Sequence, residues 1–232
     1  MNTFTDIFQL LTSTLDNGPV RSSAKVARFT AEHKIKVLGV GGCGSNTVHY
    51  LNAYGDPSLE YVYLNTGTEA HSRCSDHKTF RLDRKRRPMT VPFQRHLVAS
   101  ELEDVEFRSS LDGTDALFIV AGMGGRTGTQ LASEVAHIAK TMGIVTIGIV
   151  TMPFDYETGR KQYAGLGLDE LTANVDSLIV MSNDKLMEML GDDVTQEEVF
   201  AYGYDLVKEA ITAMVLFQTS MQNETGPFWP RE

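Results

Sequence analysis

Cysteine is scarce in this chain. Only Cys43 and Cys74 occur in 232 residues, too few for a disulfide framework, which fits a reducing compartment. No run of about 18 apolar residues is present, so a membrane-spanning helix is not expected. Residues 1–9 lack a basic stretch followed by a long apolar core, so no secretory leader is expected and the chain reads as cytoplasmic. Basic residues are in the minority, 21 against 30 acidic, for a net charge of −9. That balance argues against general nucleic-acid binding. No G-x-x-x-x-G-K-[ST] motif occurs, which removes the P-loop reading. No aspartate follows Asp205.

What the chain has is glycine in two special places. Gly39-Val40-Gly41-Gly42-Cys43-Gly44-Ser45-Asn46 follows an apolar run at 35–40. Gly122-Met123-Gly124-Gly125-Arg126-Thr127-Gly128-Thr129 follows a second apolar run at 116–121. A strand that ends in a glycine-rich turn and enters a helix is suited to phosphate. Backbone N–H groups approach the anion, threonines add hydroxyls, and the helix start adds a positive dipole end. Two such turns suggest one nucleotide held from two sides.

Between and beyond these turns, apolar β-branched runs alternate with helical patterns. Strands are expected at 35–40, 60–64, 116–121, 144–150 and 177–181. Helices are expected near 45–53, 93–110, 127–142, 160–174, 184–190 and 196–222, with 71–92 left without an assignment. Unbroken apolar strands separated by helices imply an α/β, Rossmann-like, mostly parallel sheet with helices on both faces, ending in a long helix. Ligands of such sheets sit at the carboxyl ends of the strands, where both turns fall. Residues 1–33 read as a short amphipathic helix and linker, 34–222 as the nucleotide-binding domain, and 223–232 as a tail.

The first turn also fits G-x-G-x-x-G, so an NAD(P)-dependent oxidoreductase is a rival. That reading expects an acidic residue at the end of the second strand, where Asn65 stands, and it leaves the second turn without a role.

Gly41–Asn46 and Gly122–Thr129 resemble the two glycine-rich loops of the tubulin/FtsZ family, on the FtsZ side. Val150-Thr151-Met152-Pro153-Phe154 and Ser182-Asn183-Asp184-Lys185-Leu186 resemble two further loops of that family, in order and at similar spacing. The likeness covers residues 34–222. It implies GTP or GDP as ligand, with Mg²⁺ as an accompanying ion. It implies that Gly41, Gly42, Cys43, Gly44, Ser45 and Asn46 wrap the α- and β-phosphates and ribose. Gly122, Gly124, Gly125, Arg126, Thr127, Gly128 and Thr129 would hold the phosphate tail. Asn65 falls where the family has Asn-Thr-Asp, and Glu157 and Arg160 resemble the pair that flanks ribose and base. Asn183 and Asp205 would read guanine, although a helix cap is an equal use for Asn183 and a solvated helix position for Asp205.

Departures accompany the resemblance. Gly67 replaces an aspartate, the run 81–87 is basic where the family is small and glycine-rich, and Arg126 interrupts the second glycine run. The family's acidic loop after the long helix has no counterpart before residue 232. The expectation is therefore a regulator or one-sided assembly partner of a complete homologue, with little hydrolysis alone. Alternatives are a weak GTPase activated in trans, the oxidoreductase, and a nucleotide-free interaction module. The amphipathic long helix suggests docking to a homologue or self-association. Two minor readings remain: metal binding by His71, Cys74, Asp76 and His77, and nucleic-acid binding by the basic run.

Overall fold

In a computed structural model of the chain, the described residues are 33–66, 78–81, 105–191 and 193–224. Residues 1–32 of the amino-terminal arm, the His71–His77 cluster, residues 82–87, residues 93–104 of the helix expected near 93–110 and residues 225–232 of the tail lie outside them.

Six strands form one sheet: β1 (Ile35–Val40), β2 (Glu60–Asn65), β3 (Lys78–Arg81), β4 (Ala116–Gly122), β5 (Val145–Met152) and β6 (Ser177–Ser182). Every pairing is parallel, in the order β3-β2-β1-β4-β5-β6. The doubly wound Rossmann-like architecture expected from the alternation is therefore the one formed. The helices are α1 (Gly41–Tyr54), α2 (Val105–Ser110), α3 (Arg126–Thr141), α4 (Thr158–Thr172), α5 (Asn183–Leu190) and α6 (Gln196–Glu224).

Side-chain alternation along the strands builds two apolar layers. Val37, Phe118, Val120 and Ile149 face one layer, with Val48 and Leu51 of α1 and Val199, Leu206, Val207 and Ile211 of α6. Leu38, Val40, Leu117 and Ile119 face the other, with Leu131, Val135 and Ile138 of α3 and Leu171 of α4. Central strands β1 and β4 are buried along almost their whole length because helices cover both faces.

Strand order reverses between β1 and β4, and this switch point fixes where a ligand can sit. Val40 pairs with Ala121 in the parallel register, so the glycine turns leave neighbouring strands at the same level. Gly41 turns out of β1 at φ +74°, in the left-handed region that favours glycine. A Cβ there would lie 2.9 Å from the Gly128 amide nitrogen, so the two turns pack backbone against backbone.

Candidate functional site

A cleft of about 620 Å³ opens above this switch point, within the size range of small-molecule sites. Five segments meet there. The start of α1 brings Gly42, Cys43 and Asn46. The β4–α3 turn brings Gly122, Gly125, Arg126, Thr127 and Gly128. The stretch after β5 brings Thr151, Phe154, Tyr156, Glu157 and Arg160, α5 brings Asn183, and α6 brings Gln196, Phe200 and Tyr204.

Two helices begin in the cleft, and neither has a side-chain cap at its N-cap residue, Val40 for α1 and Gly125 for α3. Neither carries an acidic residue in its first turn. Free N–H groups and two positive dipole ends thus converge on one space. Two glycines leave that space open: a Cβ on Gly42 meets nothing within 4 Å, and one on Gly125 meets only the Gly122 carbonyl oxygen at 3.8 Å.

The other glycines shape the cradle from behind. A Cβ on Gly44 would stand 2.2 Å from the Val120 carbonyl oxygen, and one on Gly128 would stand 2.4 Å from that of Gly122. Gly124 has φ +86° and packs under the backbone of Arg160. Gly41, Gly44 and Gly124 are thus scaffold rather than lining, and Ser45 is buried behind the lining with no partner for its hydroxyl among the described residues. Thr129 is also scaffold: it is fully buried, and its hydroxyl accepts from the Gly124 amide at 2.8 Å. That bond pins the turn, so Thr129 aims no hydroxyl into the cleft. Asn65 lies behind the cleft wall. Its side-chain oxygen accepts from Thr66 N, and the Thr66 and Thr127 hydroxyls are 2.7 Å apart at the phosphate end.

Arg126 does not plug the hollow. It is exposed at the mouth, and no ion pair holds it among the described residues. Arg160 instead pairs with Glu157 at 2.6 Å, while the second Glu157 oxygen accepts from the Phe154 amide at 3.2 Å. Of the two guanidinium groups, Arg126 is the one uncommitted and placed for an incoming anion.

Asn183 gives the clearest sign of a missing ligand. It is 7% exposed, it lines the cleft, and no hydrogen-bond partner meets its amide among the described residues. The capping role is filled by its neighbour, because the Ser182 hydroxyl accepts from Lys185 N at the start of α5.

Asp205 is placed elsewhere. Its carboxylate accepts from the Tyr50 hydroxyl at 2.6 Å and pairs with Lys208 at 2.9 Å. Those two donors hold the carboxyl below its usual range. Tyr204, one position earlier on α6, lines the cleft together with Asn46. Sequence reasoning did not single out Tyr204, Phe200, Tyr156 or Phe154 for the site. The i, i+4 aromatic spacing of Phe200 and Tyr204 on an amphipathic helix was the available signal.

Cys43 stands in the cleft with its sulfur 3.5 Å from the Thr151 hydroxyl. Cys43 is exposed to solvent within the cleft, and crowding by the surrounding walls pushes its thiol above the ordinary range, against the opposing bonds to Thr151 and Thr47. The neutral thiol is therefore favoured at pH 7, and the thiolate is the reactive form. Iodoacetamide is expected to alkylate Cys43 more slowly than a free thiol at pH 7. The rate should keep rising above the pH where a free thiol levels off. Peptide mass spectrometry after timed labelling reads this directly.

A doubly wound parallel sheet with two uncapped helix starts and an aromatic wall at its switch point defines a nucleotide-phosphate-binding class of α/β domain. The chain belongs to the tubulin/FtsZ family: the family model described as "Tubulin/FtsZ family, GTPase domain" matches residues 34–191. Cell division protein FtsZ of Neisseria gonorrhoeae is 38% identical over 190 residues, covering 78% of this chain and 47% of that protein. Cell division protein FtsZ of Wigglesworthia glossinidia brevipalpis is 34% identical over 188 residues, covering 79% and 49%. The chain spans about half the length of the curated relatives it matches. Among solved structures, an empty FtsZ dimer from M. jannaschii superposes with a TM-score of 0.68 at 26% identity, covering 93% of this chain and 59% of that one. The TubZ of Clostridium botulinum phage c-st shares the fold, with a TM-score of 0.59 at 14% identity over 78% of this chain and 60% of that one. No described helix is long and apolar enough to cross a membrane.

Proposed function

We propose that the chain binds GTP or GDP in this cleft, phosphates at the two glycine turns and base toward Asn183 and α6. The observation that carries the reading is Asn183, a largely buried residue lining a cleft into which two uncapped helices open. An amide offers both a donor and acceptor sites, which suits the mixed edge of guanine. Gly42, Gly125 and Gly128 would lie along the phosphates, with Arg126 and the Thr127 hydroxyl beside them. Mg²⁺ fits as a companion of the phosphates rather than a resident metal. Among the described residues no cluster of three or more His, Cys, Asp or Glu side chains could hold it.

Hydrolysis by this polypeptide alone is proposed to be slow. Attack by water needs a positioned base or orienting group. Among the described residues Glu157 is the one carboxylate lining the cleft, and Arg160 and the Phe154 amide occupy its two oxygens. The finer reading is a regulator or one-sided partner of a complete homologue, whose water-activating group would come from the neighbour; a GTPase activated in trans differs only in turnover.

Denaturing the purified protein and identifying the released nucleotide tests the first claim: guanine nucleotide is expected, and a nicotinamide cofactor overturns it. Phosphate release from GTP, measured with and without a full-length FtsZ, tests the second. A rate alone equal to the mixture's would remove the need for a partner.

A further inference from the structure

The charges that line the cleft do not cancel. Among the described residues the lining holds two cations, Arg126 and Arg160, and one anion, Glu157. Arg160 and Glu157 pair with each other at 2.6 Å, and the Phe154 amide meets the second Glu157 oxygen. Arg126 is left over. It is the first residue of α3, it is exposed at the cleft mouth, and its guanidinium meets no partner among the described residues. Its surroundings bring no opposing charge. The first turns of α1 and α3 carry no acidic residue, and the Thr127 hydroxyl beside it faces that of Thr66 at 2.7 Å. The phosphate end of the cleft therefore carries one unbalanced positive charge on a long side chain.

We infer that the Arg126 guanidinium is a built-in counter-cation for the outermost phosphate of the nucleotide, on the oxygens a divalent cation would otherwise take. This rests on the nucleotide reading above and concerns only its phosphate end. A planar guanidinium matches two phosphate oxygens at once. Mg²⁺ is ordinarily held by one or two carboxylates together with the phosphates of the ligand. Among the described residues the cleft offers it no free carboxylate, since both Glu157 oxygens are taken. Two cations on the same oxygens also repel each other. Mg²⁺ thus accompanies the phosphates only where Arg126 gives way. Removing the arginine converts a chain indifferent to Mg²⁺ into one that depends on it.

The test is calorimetric titration of the full chain with GDP, in excess Mg²⁺ and in EDTA at matched ionic strength. It uses wild type, Arg126→Gln and Arg126→Lys, with a thermal melt of each to confirm folding. Wild type is expected to bind GDP in EDTA within about threefold of its affinity in Mg²⁺. Arg126→Gln should lose about tenfold in EDTA, the worth of a charge-assisted pair, and regain most of it in Mg²⁺. Arg126→Lys keeps the charge without the fork and should fall between the two. Wild type that loses about tenfold or more when Mg²⁺ is withdrawn overturns the inference, and that arm needs no variant to fold. So does a folded Arg126→Gln variant that binds GDP in EDTA as wild type does, or one whose loss is the same in both buffers. Wild type that binds GDP in neither buffer overturns the nucleotide reading itself, an outcome no comparison among variants can imitate.

Discussion

Gly44→Ala is expected to destabilise the protein by about 3 kcal/mol, the upper part of the range for overpacking a filled site, and to lower its thermal midpoint by roughly 6–12 °C. The neighbouring change Gly42→Ala should leave the midpoint within about 2 °C while weakening GDP at least tenfold. Both residues sit in the first turn of α1, where helix propensity alone favours alanine. Their surroundings decide otherwise. A Cβ on Gly44 would press to 2.2 Å from the Val120 carbonyl oxygen and 3.1 Å from the Gly39 carbonyl carbon, all backbone of the two central strands. No rotamer relieves that contact, so α1 must lift from β1 and β4. A Cβ on Gly42 meets no protein atom within 4 Å and points into the space meant for phosphate. Thermal melts with and without GDP separate the two effects. A melt of Gly44→Ala that overlays wild type would show that the turn is not packed as described.

The sheet was largely legible because its strands are short, largely apolar runs with few polar interruptions, such as Lys36 in β1. Ile35–Val40 and Ala116–Gly122 are buried on both sides, and that pattern needs no tertiary information to recognise. β3 was not legible. Lys-Thr-Phe-Arg has no apolar run, and its place is given by pairing with β2 rather than by its own pattern. Helix α1 was expected from residue 45 but begins at Gly41, because four of its first residues are poor helix formers in isolation. Here contact with β4 and α3 overrides propensity.

The site was half legible for a similar reason. Glycine turns announce themselves, but sequence does not say which glycine faces the ligand and which faces the backbone behind it. Gly42 and Gly44 differ only by direction. On α6 the same limit acts through helix phase. Tyr204 and Asp205 are adjacent in sequence, yet about 100° of rotation separates them, which sends one to the cleft and the other to Tyr50. The family resemblance supplied Asp205 as reader of guanine. In the structure one oxygen of that carboxylate is held by Tyr50 and Lys208, and Asp205 is not among the residues that line the cleft.

Asn183→Ala should separate ligand recognition from folding more sharply than any other single change. Without nucleotide, the substitution removes an amide that lines the cleft, and it places a good helix former at the first position of α5. Ser182 still caps the helix through Lys185 N. The free protein is therefore expected to melt at the wild-type temperature or up to about 3 °C above it, an increment of roughly 1 kcal/mol at most. With nucleotide the sign reverses. Guanine would enter a wall that no longer answers its polar edge, and desolvated groups left unpaired cost about 2 kcal/mol, or about thirtyfold in affinity. Wild type at 100 times its dissociation constant gains about 2.7 kcal/mol from the ligand. The variant at the same concentration should keep roughly a third of that gain, visible as a much smaller GDP-induced rise in the melt. A nucleotide-free protein that falls by more than about 5 °C would place Asn183 in the packing of α5 instead. An undiminished GDP response would remove it from base recognition altogether.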